Sequence, residues 1–228
     1  MKPAPWSFSK YDTFQTCPRM YAAKYVWKSV VDETTPEAQY GLDVHKTFEL
    51  YVKGDVVDLP AELATHEPFM KRLRDLPGTK SAERKVGLTR TLTPCDFLDP
   101  EVWWRGIIDY TRTTTFQREG SPALRATIVD YKTGNPARPK VAQLNINSLY
   151  AFAEGADLVD ASFYWTRTGK PTRFVYDRSD VPDLWAGFAP GLHAYVQAYR
   201  TDQWPPKPNG LCHGWCPVKD CEFWRSKR

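Results

Sequence analysis

Apolar positions along the chain switch between a helical and an alternating rhythm, and the switch points divide it into elements. Tyr11, Phe14 and Cys17 or Pro18 recur at helical spacing after Ser7 or Ser9, either of which can cap a short first helix. Tyr21, Tyr25 and Val26 carry that apolar face beyond Pro18. Thr34 with Glu37 resembles a capping box and Pro36 suits a first turn, so a second helix is expected to run to about Lys53 and stop at Gly54. Residues 55–80 read as irregular, with one short helix around Phe69–Leu73. Strand signals follow over Glu83–Leu92, Val102–Thr111 and Arg125–Lys132, the last after a polar loop containing Arg112, Arg118, Gly120 and Pro122. A helix is expected from about Lys140 to Glu154. Strands over Val159–Arg167 and Thr172–Asp177 come next, joined by a turn at Thr168–Pro171. A long helix from about Asp180 to Arg200 contains Pro190. The tail from Trp204 to Arg228 is rich in proline and cysteine. This order predicts an α/β fold with a mixed sheet flanked by helices.

Composition narrows the class. The 228 residues are 42% hydrophobic and 14% aromatic, enough for a packed core and against disorder. No apolar run nears the roughly 18 residues of a membrane span, and the N-terminus lacks the apolar stretch of a secretory signal. The net charge is only +4, but it is unevenly spread. Residues 1–30 carry five basic side chains and one acid; residues 31–108 carry ten and fourteen; residues 109–228 carry sixteen and twelve. Basic ends flank an acidic middle. Ordinary solvated faces would explain this, unless the fold brings the two ends together into one basic surface.

The segments Trp104-Arg-Gly-Ile-Ile-Asp109 and Ile128-Val-Asp130-Tyr-Lys132 carry the candidate chemistry. Alternation puts Asp130 and Lys132 on one face of a strand, and Asp109 near the end of the preceding one. A bare D-x-K is common by chance, and an ordinary Asp–Lys ion pair would account for it. Ile107, Ile108, Ile128 and Val129 mark both strands as largely buried, however, and charges beside buried strands need partners or metals. Two carboxylates suit a hard cation such as Mg²⁺, and a lysine beside them can orient a water and stabilise charge on a phosphate. His45 and Glu49 share one face of the second helix; His45 reads either as a partly buried core histidine or as a further metal ligand. Gln143, Asn147 and Tyr150 share a face of the helix that follows the D-x-K strand. They are either a polar helix face with one core tyrosine, or donors toward lysine and phosphate.

Five cysteines and no signal peptide argue against a disulfide framework. Cys212, Cys216 and Cys221 cluster in the tail, and Cys17 stands in Thr16-Cys-Pro-Arg-Met-Tyr21 at the other end. Four thiolates suit a 4Fe–4S cluster or a structural Zn²⁺, with His213 able to replace one thiol around zinc. Cys95 has no partner pattern.

Taken in order, these segments resemble the PD-(D/E)XK nuclease superfamily, and within it the RecB-like exonucleases of the AddB and CRISPR-associated kinds that carry an iron–sulfur cluster. The matching pieces are Ser7-Phe-Ser9 through Tyr21, Gly41-Leu-Asp-Val-His45, Gly106-Ile-Ile-Asp109, Asp130-Tyr-Lys132-Thr-Gly134, the helix from Gln143 to Tyr150, and the cysteine triplet. Gln143 and Tyr150 lie seven apart where the family often spaces four, the position taken here by Asn147. The resemblance implies a restriction-endonuclease-like core over residues 1–228. Residues 1–30 and 201–228 would form a cysteine subdomain, in which the tail closes on the first helix. It implies Mg²⁺ or Mn²⁺ held by His45, Asp109, Asp130 and the Tyr131 carbonyl, with Lys132 activating water and Gln143, Tyr150, Glu83 and Glu49 in support. It implies a cluster on Cys17, Cys212, Cys216 and Cys221, with structural zinc as the alternative. The expected activity is a DNA exonuclease at single-stranded or frayed ends, in the cytoplasm of a bacterial or phage-infected cell. A recombinase, helicase or CRISPR-type protein is the kind of partner implied. A non-catalytic nucleic-acid-binding adaptor on the same fold is the competing reading. Trp6, Trp27, Trp204, Trp215 and Trp224 are candidates for stacking on bases or, more simply, for core packing.

Overall fold

The computed structural model describes residues 3–31 and 33–226, which form two compact units: residues 35–185, and residues 3–34 (Asp32 not described) together with 186–226. The boundary falls inside one helix. Among the described residues no helix is long and apolar enough to cross a membrane.

The larger unit is built on a six-stranded sheet. Its strands are β1 (Thr79–Thr89), β2 (Pro94–Cys95), β3 (Val102–Arg118), β4 (Ser121–Lys132), β5 (Leu158–Trp165) and β6 (Lys170–Asp177). Their order is β2-β1-β3-β4-β5-β6. All neighbours are antiparallel except β4 and β5. A parallel pair needs a crossover, and α5 (Val141–Ala153) supplies it. The sheet is therefore mixed and flanked by helices, as the element order predicts.

Three further elements shape this unit. α3 (Pro36–Lys53) is capped by the Thr35 side chain, which accepts from the Ala38 N–H at 3.2 Å, and it ends at the left-handed Gly54. The cap is thus one residue later than the Thr34 expected from sequence. Residues 55–80, expected to be mostly irregular, contain a 3₁₀ segment, Ala61–His66, running into α4 (Glu67–Asp75). Val44, Phe48 and Tyr51 from α3 and Met70 and Leu73 from α4 pack with Ala82, Tyr110, Val129 and Tyr131 of the sheet. α5 covers the opposite face, since Asp130 and Lys132, which alternate with Val129 and Tyr131, bond to its Gln143.

The polar loop expected between the second and third strands is a hairpin. β3 and β4 continue pairing out to Arg118 and Ser121, and the turn between them, Glu119-Gly120, has positive φ at both positions (53° and 80°). That is the geometry of a two-residue type I′ turn, whose twist matches that of the strands it joins. Ile107, expected to be buried, is 43% exposed on β3.

The smaller unit holds α1 (Phe8–Thr16), α2 (Pro18–Tyr25), most of α6 (Val181–Thr201) and the tail. Ser7 caps α1, and an extended Cys17 separates α1 from α2, which Pro18 starts. The expected single apolar face is thus carried by two helices. Tyr21 is fully buried, with its hydroxyl 2.7 Å from that of Tyr195 and 2.9 Å from that of Tyr199. Phe14 and Trp204 complete this aromatic core. Trp6 and Trp204 are core residues, whereas Trp27 and Trp215 are exposed.

Gly78, just before β1, has φ +125°, and a Cβ there would lie 2.5 Å from the Thr113 carbonyl oxygen. Gly78→Ala should therefore cost about 2 kcal/mol. Gly54→Ala, strained in φ but open in space, should cost about 1 kcal/mol. Thermal melts of the two variants should rank them in that order.

Candidate metal centre

Pairing between β3 and β4 stops at Tyr110 and Val129. Beyond that point β4 remains paired to β5, so the Tyr131 N–H faces the gap toward β3. The Asp109 carboxylate fills the gap: its Oδ2 accepts the Tyr131 N–H at 2.6 Å. Asp109 is only 7% exposed, and a charge-assisted bond of this kind offsets much of the cost of burying the carboxylate.

Opposite Asp109 on β1 lies Glu83, between the pairs Ala82–Tyr110 and Arg84–Ile108. Glu83 has φ +50°, an uncommon backbone state for a non-glycine residue within a strand. Its consequence is visible in the neighbours. Ala82 packs into the α3–α4 core, whereas Arg84 reaches the α5 side to pair with Glu154 at 2.5 Å. Two residues that simple alternation would place on one face are on opposite faces. The local inversion lets Glu83 and Asp109 both turn toward α3. There His45 Nδ1 is 3.3 Å from Asp109 Oδ2 and 3.7 Å from Glu83 Oε1. Among the described residues, this trio is the one group of His, Cys, Asp or Glu donors whose ligand atoms all lie within 4.8 Å of one another. Although burial pulls the His45 imidazole down, the Asp109 and Glu83 carboxylates raise it to about 10. In electrostatic terms the pair of carboxylates demands a cation.

On the other face, Asp130, Lys132 and Gln143 close a ring of polar contacts. Lys132 Nζ is 2.5 Å from Asp130 Oδ2 and 2.8 Å from Gln143 Oε1, and Gln143 Nε2 donates to Asp130 Oδ1 at 2.6 Å. Only this orientation of the amide works, because a flipped one would set its NH₂ against the ammonium and its oxygen against the carboxylate. Asp130 is 2% exposed, and burial together with the Asp109 charge pushes its carboxyl up while Lys132 opposes that.

Three supporting residues expected from sequence take other places. Glu49 is engaged by Lys46 at 2.9 Å and Lys53 at 2.5 Å along its own helix. The Tyr150 hydroxyl donates to Glu154 at 2.9 Å and lies beside Arg84, away from Gln143. Glu83, expected only to back up the ligands, stands among them; its inverted backbone leaves no mark in the local sequence. Asn147 is buried on α5, where its helical spacing from Gln143 places it. An open cleft of about 450 Å³ lies over the trio, with Gly41, Leu42, Ile107 and Thr133 in its walls. The exposure of Ile107 follows from that position.

The sequence matches the superfamily model described as PD-(D/E)XK nuclease over residues 5–221. The chain belongs to the PD-(D/E)XK nuclease superfamily. The mixed sheet with flanking helices is the restriction-endonuclease-like fold of that superfamily, and metal-dependent nuclease activity on DNA is its coarse function. A solved structure titled "Crystal structure of SSO0001" is similar over 98% of this chain and 88% of its own, at 13% identity and a TM-score of 0.47. No curated protein matches the sequence.

The PD-(D/E)XK assignment and the three-donor trio agree on a divalent ion. Mn²⁺ titration by calorimetry should find Glu83→Gln and Asp109→Asn each at least about tenfold weaker than wild type. Glu49→Gln, which breaks only helix-surface ion pairs, should bind Mn²⁺ as wild type does.

Proposed function

We propose that the chain is a RecB-like, Mg²⁺- or Mn²⁺-dependent DNA exonuclease that hydrolyses phosphodiester bonds at single-stranded or frayed ends, in recombination, repair or phage DNA processing. The observation that carries this reading is the adjacency of two arrangements. One is a trio of metal donors on β1, β3 and α3 at the floor of the cleft, with Asp109 buried; the other is a lysine locked at the end of β4. In this reading His45, Glu83 and Asp109 hold the ion, with Asp130 and the Tyr131 carbonyl adjoining them. When bound, such an ion polarises the phosphate and makes water a competent nucleophile near neutral pH. Lys132 is the catalytic residue that orients the attacking water and meets the charge developing on phosphate. Gln143 is a positioning residue: it fixes the Lys132 ammonium and the Asp130 carboxylate against each other. The Asp109–Tyr131 bond fixes the first carboxylate relative to the strand that carries Lys132.

A 4Fe–4S cluster on Cys17, Cys212, Cys216 and Cys221 belongs to the same proposal. The four cysteines line one pocket with Met20 and Val218. Backbone N–H groups of Lys207 and Asn209 point at the sulfurs of Cys17 (3.4 Å) and Cys212 (3.5 Å), contacts that stabilise cluster thiolates. Among the described residues no three of these sulfurs lie within 4.8 Å of one another.

Digestion of end-labelled single- and double-stranded DNA, with circular controls, tests the activity. Linear single strands should be degraded under Mg²⁺ or Mn²⁺ and circles spared; equal cutting of circles would refute the exonuclease reading. Lys132→Ala should lose cleavage by a factor of at least about 10² while remaining folded by circular dichroism. Full residual activity in that variant would sink the assignment of Lys132. Anaerobically purified protein should be brown and contain iron and acid-labile sulfide; a colourless protein with stoichiometric zinc would overturn the cluster.

A further inference from the structure

Beyond the carboxylates, the open face of the β1–β3 ladder changes character. Lys85 is two residues past Glu83 and pairs with Ile107; Gly87 is two residues further and pairs with Arg105. Because Arg84 and Trp104 lie against α5, where Trp104 packs its ring against Tyr150, these odd-numbered positions face the other way. Ile107 is also a wall of the metal cleft, so the strip begins where the cleft ends. Its far end is Phe97. The backbone of residues 95–96 folds down onto Gly87, where a Cβ would lie 3.0 Å from the Asp96 carbonyl oxygen. That close approach sets the Phe97 ring above the strip, 4.9 Å from the Arg105 guanidinium and 6.0 Å from the Lys85 ammonium.

Both cations face an aromatic ring rather than a carboxylate, and among the described residues neither forms an ion pair. The strip is therefore basic, aromatic and continuous with an acidic metal centre. At about 3.3 Å per residue, Lys85 stands about 7 Å from Glu83 along the strand, and Gly87 with its partner Arg105 about 13 Å. Two cations so spaced match successive phosphates of an extended single strand, and a half-buried ring beside them is a stacking platform for a base. A duplex would present its phosphates on two ridges and no free base face.

We propose that Lys85, Arg105 and Phe97 form a subsite for single-stranded DNA, binding the two phosphates that follow the scissile one and stacking one base on Phe97. The Phe97 ring then exchanges its contact with the two cations for a base, while the cations turn to phosphate. This subsite rests on the nuclease reading of the adjacent centre and names the form of substrate that centre receives.

The test is fluorescence anisotropy of a short labelled single-stranded oligonucleotide, titrated in EDTA at several salt concentrations. Two phosphate contacts on a single strand contribute about 1.4 to the slope of log K against log salt. The Lys85→Ala/Arg105→Ala variant should be shallower than wild type by about that amount. Phe97→Ala should bind at least about fivefold more weakly with an unchanged slope. A wild-type slope in the double variant, or undiminished affinity in Phe97→Ala, would overturn the subsite. So would a loss of slope on blunt duplex without one on the single strand. Because binding is read without metal, protein that shows the expected slopes but cleaves nothing fails the nuclease reading alone. Protein that cleaves DNA yet keeps the wild-type slope in the double variant fails the subsite alone.

Discussion

The bond from the Tyr131 N–H to the Asp109 carboxylate is the contact on which the site depends. Where β3 and β4 stop pairing, a buried backbone donor would be stranded, at a cost of about 1–3 kcal/mol. Asp109 satisfies it and thereby acquires a fixed position, with one oxygen committed to the backbone and shared with His45. The gap between strands that makes room for a metal is thus the same gap that anchors its first carboxylate. Everything else at the centre is arranged around that fixed oxygen: Glu83 across the ladder on β1, His45 descending from α3, and Asp130 one residue before the donor on β4.

Glu83 shows what this arrangement costs. A strand residue at φ +50° gives up about 1–3 kcal/mol of backbone energy. The neighbours over-determine it, since Ala82 is committed to the α3–α4 core and Arg84 to Glu154 of α5. Those two anchors on opposite faces hold the inversion in place. The smaller unit is held by different means, a buried trio of tyrosine hydroxyls and an aromatic shell from Phe14 and Trp204, and its four cysteines from both ends of the chain line one pocket. The basic first thirty residues and the chain from residue 186 onward, the last part of the second basic segment, lie together in that unit.

Much of this was legible from residue order, and the illegible parts share a cause. Period-two alternation placed Asp130 and Lys132 on one face, and the Pro36 and Gly54 signals bounded α3 to within a residue, because both depend on neighbours in sequence. The hairpin through Arg112 and Pro122 was hidden because its strands are polar and its pairing is with each other rather than with a core. Helical spacing gives Glu49 and Tyr150 a face but not a partner; Lys53 and Glu154, each four residues away, engage them locally. The place of Glu83 among the donors is not legible in sequence, because a backbone inversion within a strand has no local signature. Ile107 reads as core and lines the cleft, because hydrophobicity alone does not distinguish the floor of a sheet from the wall of a cleft.

Electrostatics ties the centre to the strip beside it. Glu83, Asp109 and Asp130 place three carboxylates around two cations, His45 and Lys132, so the centre carries a surplus of negative charge that by itself repels a phosphate backbone. A divalent ion reverses that sign at the scissile position but nowhere else. Attraction for the rest of the backbone has to come from cations outside the carboxylate cluster, yet close enough to feel the same single strand. In the proposed subsite Lys85 and Arg105 meet both conditions, and their separation from Glu83 and Asp109 by two and four residue pairs of the ladder keeps them from being neutralised by the acids they assist. Under the proposed function, binding and metal ligation then fall to different residues of the β1–β3 ladder, and the sign of the charge changes along it between Glu83 and Lys85.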